Sequence, residues 1–551
     1  MREVLEVWKL KYIKLLMDTS TRNMDTIRKE GSEYEDATKE IESTVQIAPM
    51  NTGIFLFVLN IRNVLRLDDL GREILRIAVP AAMALAADPL ASIVDTAFIG
   101  RLGSAEIAGV GVSIAIFNQV SKVCIYPLVS VATSFVAEED AIICNTIDAG
   151  NMKDLEKALP QIQAEESSPL ESKLGKASWY NFITFSNCTT RDVHKRKYIP
   201  SVSSALIVGA VLGFIQAIAL TYSAKLVLNI MGVKHGSPML PPAFRYLTLR
   251  SIGAPAVLLN LAMQGVFRGF KDTKTPLYAT VIGDLTNIIL DPIMMFVFHL
   301  GVGGAAIAHV LSQYLMTVIL LYHLIQLVDI MPPSVKALSF GRFLRCGFLL
   351  LARVIAVTCC VTLAASLAAH HGPDVMAAFQ ICLQLRLATS LLADGLAVAG
   401  QAILAGAFAR KDHHKIIVVT ARVLQLSIIL GMALTVFLGV AMEFGSVIFT
   451  KDKSVLSVIH KGIPFVAGMQ TMNSLAFVFD GINFGASDYR YCAYSMVFVA
   501  IASIASLIFL SSYKGFIGIW FGLTIYMTLR ALASTWRMGA ARGPWKFLRK
   551  N

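Results

Sequence analysis

The chain has 551 residues, of which 55% are hydrophobic and only 16% are charged, and it carries a formal net charge of +12. Soluble domains contain about 25% charged residues, so most of this chain is expected to lie in lipid. The positive charge is spread over loops and tails, which argues against a nucleic-acid-binding protein and is typical of membrane topology signals. The eight cysteines are scattered without a CxxC motif, so they indicate neither a disulfide framework nor a zinc site.

The first segment, residues 1–69, is predicted to be a cytosolic N-terminal tail. It shows no cleavable signal peptide, and its acidic residues argue against an organellar transit peptide. Its opening residues, MREVLEVWKLKYIKLL, form a short amphipathic pattern. This pattern indicates either a helix resting on the membrane surface or a loose tail.

Twelve stretches are long and apolar enough to cross a bilayer, which takes about 20 residues of helix. Numbered in chain order, these spans are roughly 74–99, 107–137, 201–222, 243–267, 277–298, 303–327, 343–369, 374–409, 416–441, 455–480, 490–512 and 516–537. The sequence therefore predicts an all-α integral membrane protein with two six-helix bundles. The N-lobe is expected at 70–330, the C-lobe at 342–537, and the C-terminal tail at 538–551. The linker at 331–341 contains Pro332 and Pro333, which would end the sixth helix.

An even number of spans places both termini on the same side of the membrane. Lys and Arg are frequent after Thr535 and in the loops between even- and odd-numbered spans, which predicts cytosolic termini. The long loop at 138–200 is mixed in charge and poor in apolar runs, so it is predicted to be cytosolic and largely disordered. Its basic sequence RDVHKRK is interpreted as a topology signal, with contact to anionic lipid as the alternative.

The two halves of the chain repeat each other. QGVFRGFKDTKTPLY, which contains Gly265, returns in the second half as DGINFGASDYRYCAY, which contains Gly481. HLGVGG, with Gly301, returns as YKGFIG, with Gly515. Two like bundles around a central cavity are typical of transporters that rock to alternate access. A duplicated bundle without a transport pathway is the alternative.

Ionisable residues inside the predicted spans mark candidate sites, because an unpaired charge in lipid costs several kcal/mol. Asp88 and Asp95 lie near one face of span 1, and Asn287 and Asp291 share a face of span 5. A carboxylate beside an amide in an apolar bundle is a candidate site for a proton or a sodium ion. The alternative is that Asp291 simply ends its helix before a proline.

The second half carries Asp394 in span 8 and Asp480 at the end of span 10. Three cations, Lys122, Arg353 and Arg386, also lie within spans. Lys122 shares a helical face with Asn118, four residues before it. An anionic substrate would give each buried cation a partner. Pairing within the bundle, for example between Arg386 and Asp394, is an equally open alternative.

The chain lacks the common motifs of enzymes and pumps. It contains no GxSxG, no HExxH, no Walker loop and no histidine box for a metal. We therefore predict neither catalysis nor a bound cofactor or metal, and expect an ion gradient or the substrate's own gradient to drive transport. A polytopic membrane enzyme or a flippase for lipid-linked sugars is the alternative from another class.

Several segments resemble the MATE family of multidrug and toxic compound extrusion transporters. The resemblance is carried by VDTAFIG in span 1, GFKDTKTP after span 4, NIILDP in span 5 and GVGGAAIAH at span 6. It implies a V-shaped pair of bundles and cation-coupled export. The positions of the proton site in the family are filled here by Asp95, Asn287 and Asp291. Other members use a Glu of span 7 together with an Asp of span 10 as a cation site. Asp480 matches the Asp of span 10, whereas span 7 has no acidic residue here and carries Arg353 instead.

The phrases LLADGLAVAGQAILA and FVFDGINFGASDYRY are similar to the plant branch of citrate exporters, which serve aluminium tolerance or iron movement in xylem. This resemblance implies a monomeric citrate efflux transporter of the plasma membrane, coupled to protons. Another organic anion, a phenolic or an organic cation is the alternative substrate. Arg386 departs from the aromatic residue expected in QLRLATSLL. The predicted coupling residues are Asp95, Asn287, Asp291 and Asp480, and the predicted substrate-binding residues are Asn118, Lys122, Arg353, Arg386 and Asp394.

Overall fold

A computed structural model describes residues 68–164, 197–231, 233, 236–329, 340–449 and 453–549. Almost all of the predicted N-terminal tail, most of the interlobe linker, and residues 165–196 of the predicted loop lie outside the described residues. The side chains of further residues within helices, including 122–127 and 146–164, also lie outside them.

The described chain consists almost entirely of helices. In the first half these are α1 (Asp69–Ile99), α2 (Ser104–Ala164), α3 (Pro200–Ile230), α4 (Leu240–Ser251), α5 (Ala254–Gly269), α6 (Lys274–Pro292) and α7 (Val302–Leu327). In the second half they are α8 (Phe340–His370), α9 (Pro373–Arg410), α10 (His413–Phe449), α11 (Lys453–Gly468), α12 (Gln470–Gly485) and α13 (Tyr489–Gly539). A π-helical turn at Ile293–Val297 extends α6, and a 3-10 helix at Gly543–Arg549 follows α13. Two short parallel strands, β1 (Lys197–Tyr198) and β2 (Val328–Asp329), pair with each other.

Length and hydropathy identify the membrane spans. Eight helices satisfy both criteria, and two bent pairs, α4 with α5 and α11 with α12, bring the number to ten. The 51-residue α13 is interrupted at Gly515, so it supplies two spans rather than one. The apolar beginning of α2, Ala105–Ser121, is shorter than the helices counted as spans and lies where the sequence predicts the remaining one. This architecture confirms the predicted all-α membrane fold of two six-helix bundles.

The prediction that the chain becomes a disordered loop at residue 138 is wrong for its first part, because α2 continues to Ala164. Polar residues that end an apolar run do not end a helix, since the backbone hydrogen bonds remain satisfied within it. Glu139 on this extension accepts hydrogen bonds from the backbone N–H of Ser201 at 3.0 Å and from its hydroxyl at 2.6 Å. A carboxylate at the N-terminus of α3 is favourable, because the unpaired N–H groups there carry partial positive charge.

The repeated glycines make equivalent helix contacts in the two bundles. A Cβ added at Gly265 of α5 would lie 2.8 Å from the carbonyl oxygen of Val129 in α2. A Cβ at Gly481 of α12 would lie even closer to the carbonyl oxygen of Ala397 in α9. Small residues allow two helix backbones to approach each other this closely in a membrane. The sequence repeat therefore corresponds to a repeat in helix packing.

A second pair of repeated glycines bends the chain in the same way in both bundles. Gly301 has φ 56° and ψ −133°, and Gly515 has φ 55° and ψ −130°. A Cβ added at either position would meet nothing within 4 Å. The backbone conformation alone therefore requires glycine here, because residues with a Cβ disfavour positive φ.

The two bundles contact each other at what we call the closed end, where α1, α8 and α10 begin and α9 ends. Gly395 of α9 packs on α1 so tightly that an added Cβ would lie 2.6 Å from Cβ of Ala82. Gln401 donates hydrogen bonds to the carbonyl oxygen of Ser130 and to the hydroxyl of Ser134, both at 2.8 Å. Ser134 in turn donates to the carbonyl oxygen of Phe484 at 2.9 Å. Backbone and side-chain contacts thus join α1, α2, α9 and α12.

Ion pairs reinforce the closed end. Three of them connect residues of different bundles, namely Arg342 with Glu138 at 2.5 Å, Arg422 with Asp68 at 2.6 Å and Lys415 with Glu73 at 3.6 Å. Asp68 also accepts from the N–H of Gly71 at 2.7 Å, so it caps α1 while it pairs with α10. The start of α1 is therefore fixed to the opposite bundle.

Candidate functional site

A cavity of about 370 Å³ lies within the N-lobe between α1, α2, α4, α5, α6 and α7. Its lining includes the carboxylates Asp88, Asp95 and Asp284, the amides Asn118, Asn260, Gln264, Asn287 and Gln313, and the cationic or ionisable side chains of Arg250 and His309. Polar groups of this density inside an apolar bundle indicate a ligand or ion site, because each is costly in lipid.

The structure brings the predicted coupling residues of the N-lobe together. Asn287 donates through Nδ2 to both carboxylate oxygens of Asp95 at 2.9 Å. Asp291, one helical turn beyond Asn287, is 1% exposed and interacts electrostatically with Asp95. Neither oxygen of Asp291 has a hydrogen-bond donor within the described part of the chain. Asp95 thus has an amide donor and Asp291 has none, and two such neighbouring carboxylates can be satisfied by a shared proton or by a bound cation.

The alternative role of Asp291 as a helix end does not fit this geometry. The helix passes through Pro292 and continues as the π-helical turn Ile293–Val297. A π-helical turn accommodates the break in hydrogen bonding, and such turns are frequent at functional sites. Asp291 is thus a buried carboxylate within a continuous span.

Two charged residues of this cavity, Asp284 and Arg250, were not singled out from the sequence. Asp284 lies on the same face of α6 as Asn287 and Asp291, and its Oδ2 is buried without a partner among the described residues. The spacing of three and then four residues places all three side chains on one face, and this signal was available in the sequence. Arg250, 8% exposed, is a charge inside the predicted span 4, which was a second available signal.

Of the two predicted substrate-binding residues of the N-lobe, the structure places Asn118 but not the side chain of Lys122. Asn118 lines the cavity beside the coupling residues. The side chain of Lys122 lies outside the described residues, so its role as a counter-charge stays a prediction.

A second charged cluster lies inside the C-lobe, centred on Asp480 of α12. Asp480 accepts hydrogen bonds from the guanidinium groups of both Arg353 in α8 and Arg530 in α13. Arg353 lies over the ring of Phe484 and Arg530 over the ring of Phe477, each 5.0 Å from the ring centroid. All three charged residues are buried. Two cations therefore share one anion, and the trio carries a surplus positive charge.

This arrangement changes the interpretation of two predicted residues. A cation bound at Asp480 would have to displace two guanidinium groups, so in this state Asp480 is an ion-pair partner rather than an open cation site. Arg353 is not a free counter-charge, because Asp480 partly neutralises it. Arg530 supplies the surplus, and the signal that would have identified it is a charge within the predicted span 12.

Arg386 and Asp394 are not brought together as an ion pair. Arg386 is 2% exposed and donates to Oδ1 of Asn473 at 3.3 Å, and its Nε has no partner in the described segments. Asn473 in turn donates to the hydroxyl of Ser390 at 2.7 Å. The electrostatic neighbours of Asp394 are instead arginines of other helices, led by Arg530. Arg386 is therefore held by an amide and keeps donor capacity.

The interiors of the two lobes differ in sign. The N-lobe site contains Asp88, Asp95, Asp284 and Asp291 with Arg250, and the C-lobe site contains Arg353, Arg386 and Arg530 with Asp394 and Asp480. Duplicated helical bundles with charged sites in their interiors are the architecture of many secondary membrane transporters.

Comparison with known proteins identifies the family. The MatE family model matches residues 194–293 and 350–509. Protein DETOXIFICATION 42 of Arabidopsis thaliana is 60% identical over 507 residues, which cover 90% of this chain and 97% of that protein. Protein DETOXIFICATION 43 of the same plant is 55% identical, covering 89% and 94%. A crystal structure of MATE in the bent conformation has a TM-score of 0.70 at 18% identity and covers 91% of this chain and 99% of that one.

This chain belongs to the MATE family. It is therefore an efflux transporter of organic compounds and not an enzyme.

Proposed function

We propose that this transporter exports citrate, or a closely similar organic anion, in exchange for protons. The observation that carries the proposal is the surplus of positive charge in the C-lobe. Arg353 and Arg530 donate to the carboxylate of Asp480, Arg386 has an amide as its partner, and Asp394 is the second carboxylate of the site, so three arginines face two carboxylates. Buried cations are costly unless an anion pairs with them, and a tricarboxylate offers several such anions at once. Guanidinium groups suit this ligand because they bind carboxylates with two parallel hydrogen bonds.

The proton side of the exchange is assigned to the N-lobe, at Asp95, Asn287 and Asp291. The support is the pair of neighbouring carboxylates, one of which has no hydrogen-bond donor in the described residues. A proton shared by two carboxylates removes their mutual repulsion, so occupancy of the site changes with proton concentration. Asp480 is left out of this set because two arginines already occupy it.

We further propose that the protein lies in the plasma membrane with its closed end toward the cytosol. The support is the positive-inside tendency of membrane proteins. Five basic side chains line the surface pocket at the closed end, namely Arg76, Lys271, Lys274, Arg410 and Lys415. Root citrate release for iron translocation or for aluminium tolerance is the physiological role this transport would serve.

The substrate class is tested by efflux from oocytes injected with labelled citrate, compared with efflux of an organic cationic dye. We expect citrate efflux well above that of oocytes without the protein, an inward proton gradient to increase it, and no export of the dye. Surface biotinylation measures whether the protein reaches the plasma membrane. Dye export without citrate efflux, at equal surface abundance, would refute the proposal and favour the organic-cation alternative.

A further inference from the structure

One buried cation has no part in the proposed exchange. Arg250 lies near the C-terminal end of α4, at the 50° bend between α4 and α5. It is 8% exposed, and it lines the acidic cavity of the N-lobe. An arginine buried in a transmembrane bundle is expected to have a partner or a ligand, because its charge cannot be given up.

The contacts of Arg250 leave part of its guanidinium group available. Its Nη1 donates to the hydroxyl of Tyr246 at 2.8 Å, and the group lies over the ring of Phe117 at 5.0 Å from the centroid. Its Nε has no partner in the described part of the chain but is enclosed by neighbouring atoms, so the donors left for a ligand are those of the terminal amino groups. Asp88 and Asp95 act on it electrostatically, but its one direct polar partner among the described residues is the hydroxyl.

A second donor faces the same cavity. Gln313, also buried, accepts a hydrogen bond through Oε1 from Nδ2 of Asn260 at 3.4 Å. With the oxygen of Gln313 engaged in this way, its amide N–H groups remain for a ligand in the cavity. A cavity of about 370 Å³ has room for a small organic acid.

We propose that the N-lobe cavity binds a carboxylate group of the transported anion at Arg250, so that each lobe holds one anion-binding centre. The planar guanidinium group is matched to a carboxylate, and stacking on Phe117 fixes its orientation. The carboxylates of Asp88, Asp95 and Asp284, which line the same cavity, oppose the incoming anion, so Arg250 is the cationic group that can offset them there. This inference rests on the proposed function and adds the place where part of the substrate is held.

The test compares variants of the full-length transporter, purified in detergent and expressed in oocytes. Arg250→Gln removes the charge and is expected to raise the half-saturating citrate concentration about tenfold or more, which corresponds to about 1.4 kcal/mol. The matched control is Arg245→Gln, which removes the same charge from an exposed position of the same helix and is expected to leave citrate handling unchanged. Stabilisation of the purified protein by citrate, measured as a rise in Tm, should be weaker in Arg250→Gln than in Arg245→Gln.

Two further variants keep the proposal testable if Arg250→Gln folds poorly. Arg250→Lys retains a cation and is expected to bind citrate more tightly than Arg250→Gln. Asp88→Asn removes one opposing charge and should lower the half-saturating citrate concentration. Unchanged citrate binding and transport in the Arg250 variants, with wild-type protein active, would overturn the N-lobe anion site and leave the proposed function intact. Failure of the wild-type protein itself to bind or export citrate would overturn the proposed function.

Discussion

Replacing Asp480 by Asn should destabilise the C-lobe, because Asp480 is the shared partner of two buried arginines. The substitution keeps the side-chain shape but removes the negative charge, so Arg353 and Arg530 are left facing each other within the bundle. Removing one partner of a buried ion pair costs about 3–5 kcal/mol. Since one carboxylate serves two guanidinium groups here, we expect a loss of unfolding free energy near the upper end of that range.

Unfolding of the purified protein in mixed micelles with increasing SDS would measure this loss. A double-mutant cycle adds Arg530→Met, which removes one of the two cations stranded by Asp480→Asn. The double variant should be less destabilised than the sum of the single variants by about 0.5–3 kcal/mol, the usual range for residues in one network. Asp69→Asn is the matched control, because Asp69 pairs with Arg72 on the exposed start of α1 and its loss should have no measurable effect.

Citrate provides a second readout of the same variant. With the carboxylate gone, the C-lobe carries more positive charge, so citrate should restore more of the lost stability than it adds to wild-type protein. If Asp480→Asn is as stable as the wild type and couples to neither arginine, the shared ion pair does not stabilise the C-lobe. Surplus positive charge in the C-lobe could then not be what favours citrate.

Two further predictions concern coupling and the closed end. Asp291→Asn should abolish proton-driven efflux at near-normal surface abundance, because it removes a titrating group and keeps its shape, and wild-type pH dependence of transport would contradict this. Gly395→Ala should force α1 and α9 apart and slow transport, whereas Gly406→Ala in the same helix meets its nearest neighbour at an ordinary 3.7 Å and should be tolerated. The distance between spin labels at Arg72 and Lys411 should be longer in Gly395→Ala than in Gly406→Ala. Equal distances in the two variants would show that the contact at Gly395 does not hold α1 and α9 together.

The fold was accessible from the sequence because the bilayer fixes the length of each apolar run. The clearest failure is at α2, where charged residues after Ala137 end the apolar run while the helix continues to Ala164. Hydropathy measures where a helix leaves the lipid, whereas its backbone hydrogen bonds can continue beyond that point, and here the extension also contacts α3 through Glu139 and Ser201.

The candidate site was partly accessible for a similar reason. Spacing along one helix relates Asn287 to Asp291, and each was singled out as a polar residue in lipid. The association of Asp480 with Arg353 and Arg530 involves three different helices, so no spacing in the sequence encodes it. A charge within a span signals that a partner exists, and only the packing of the helices determines which residue the partner is.

The matching backbone angles at Gly301 and Gly515 have a consequence for how two like bundles come to differ in chemistry. These bends are set by the main chain, with no neighbour within 4 Å of the place where a side chain would stand. The direction of the last helix in each bundle is therefore insensitive to the residues that fill the interior. One half can accumulate carboxylates and the other arginines while both keep the same bend, so the ion site and most of the positive charge that favours an anion can lie in different halves of a duplicated scaffold.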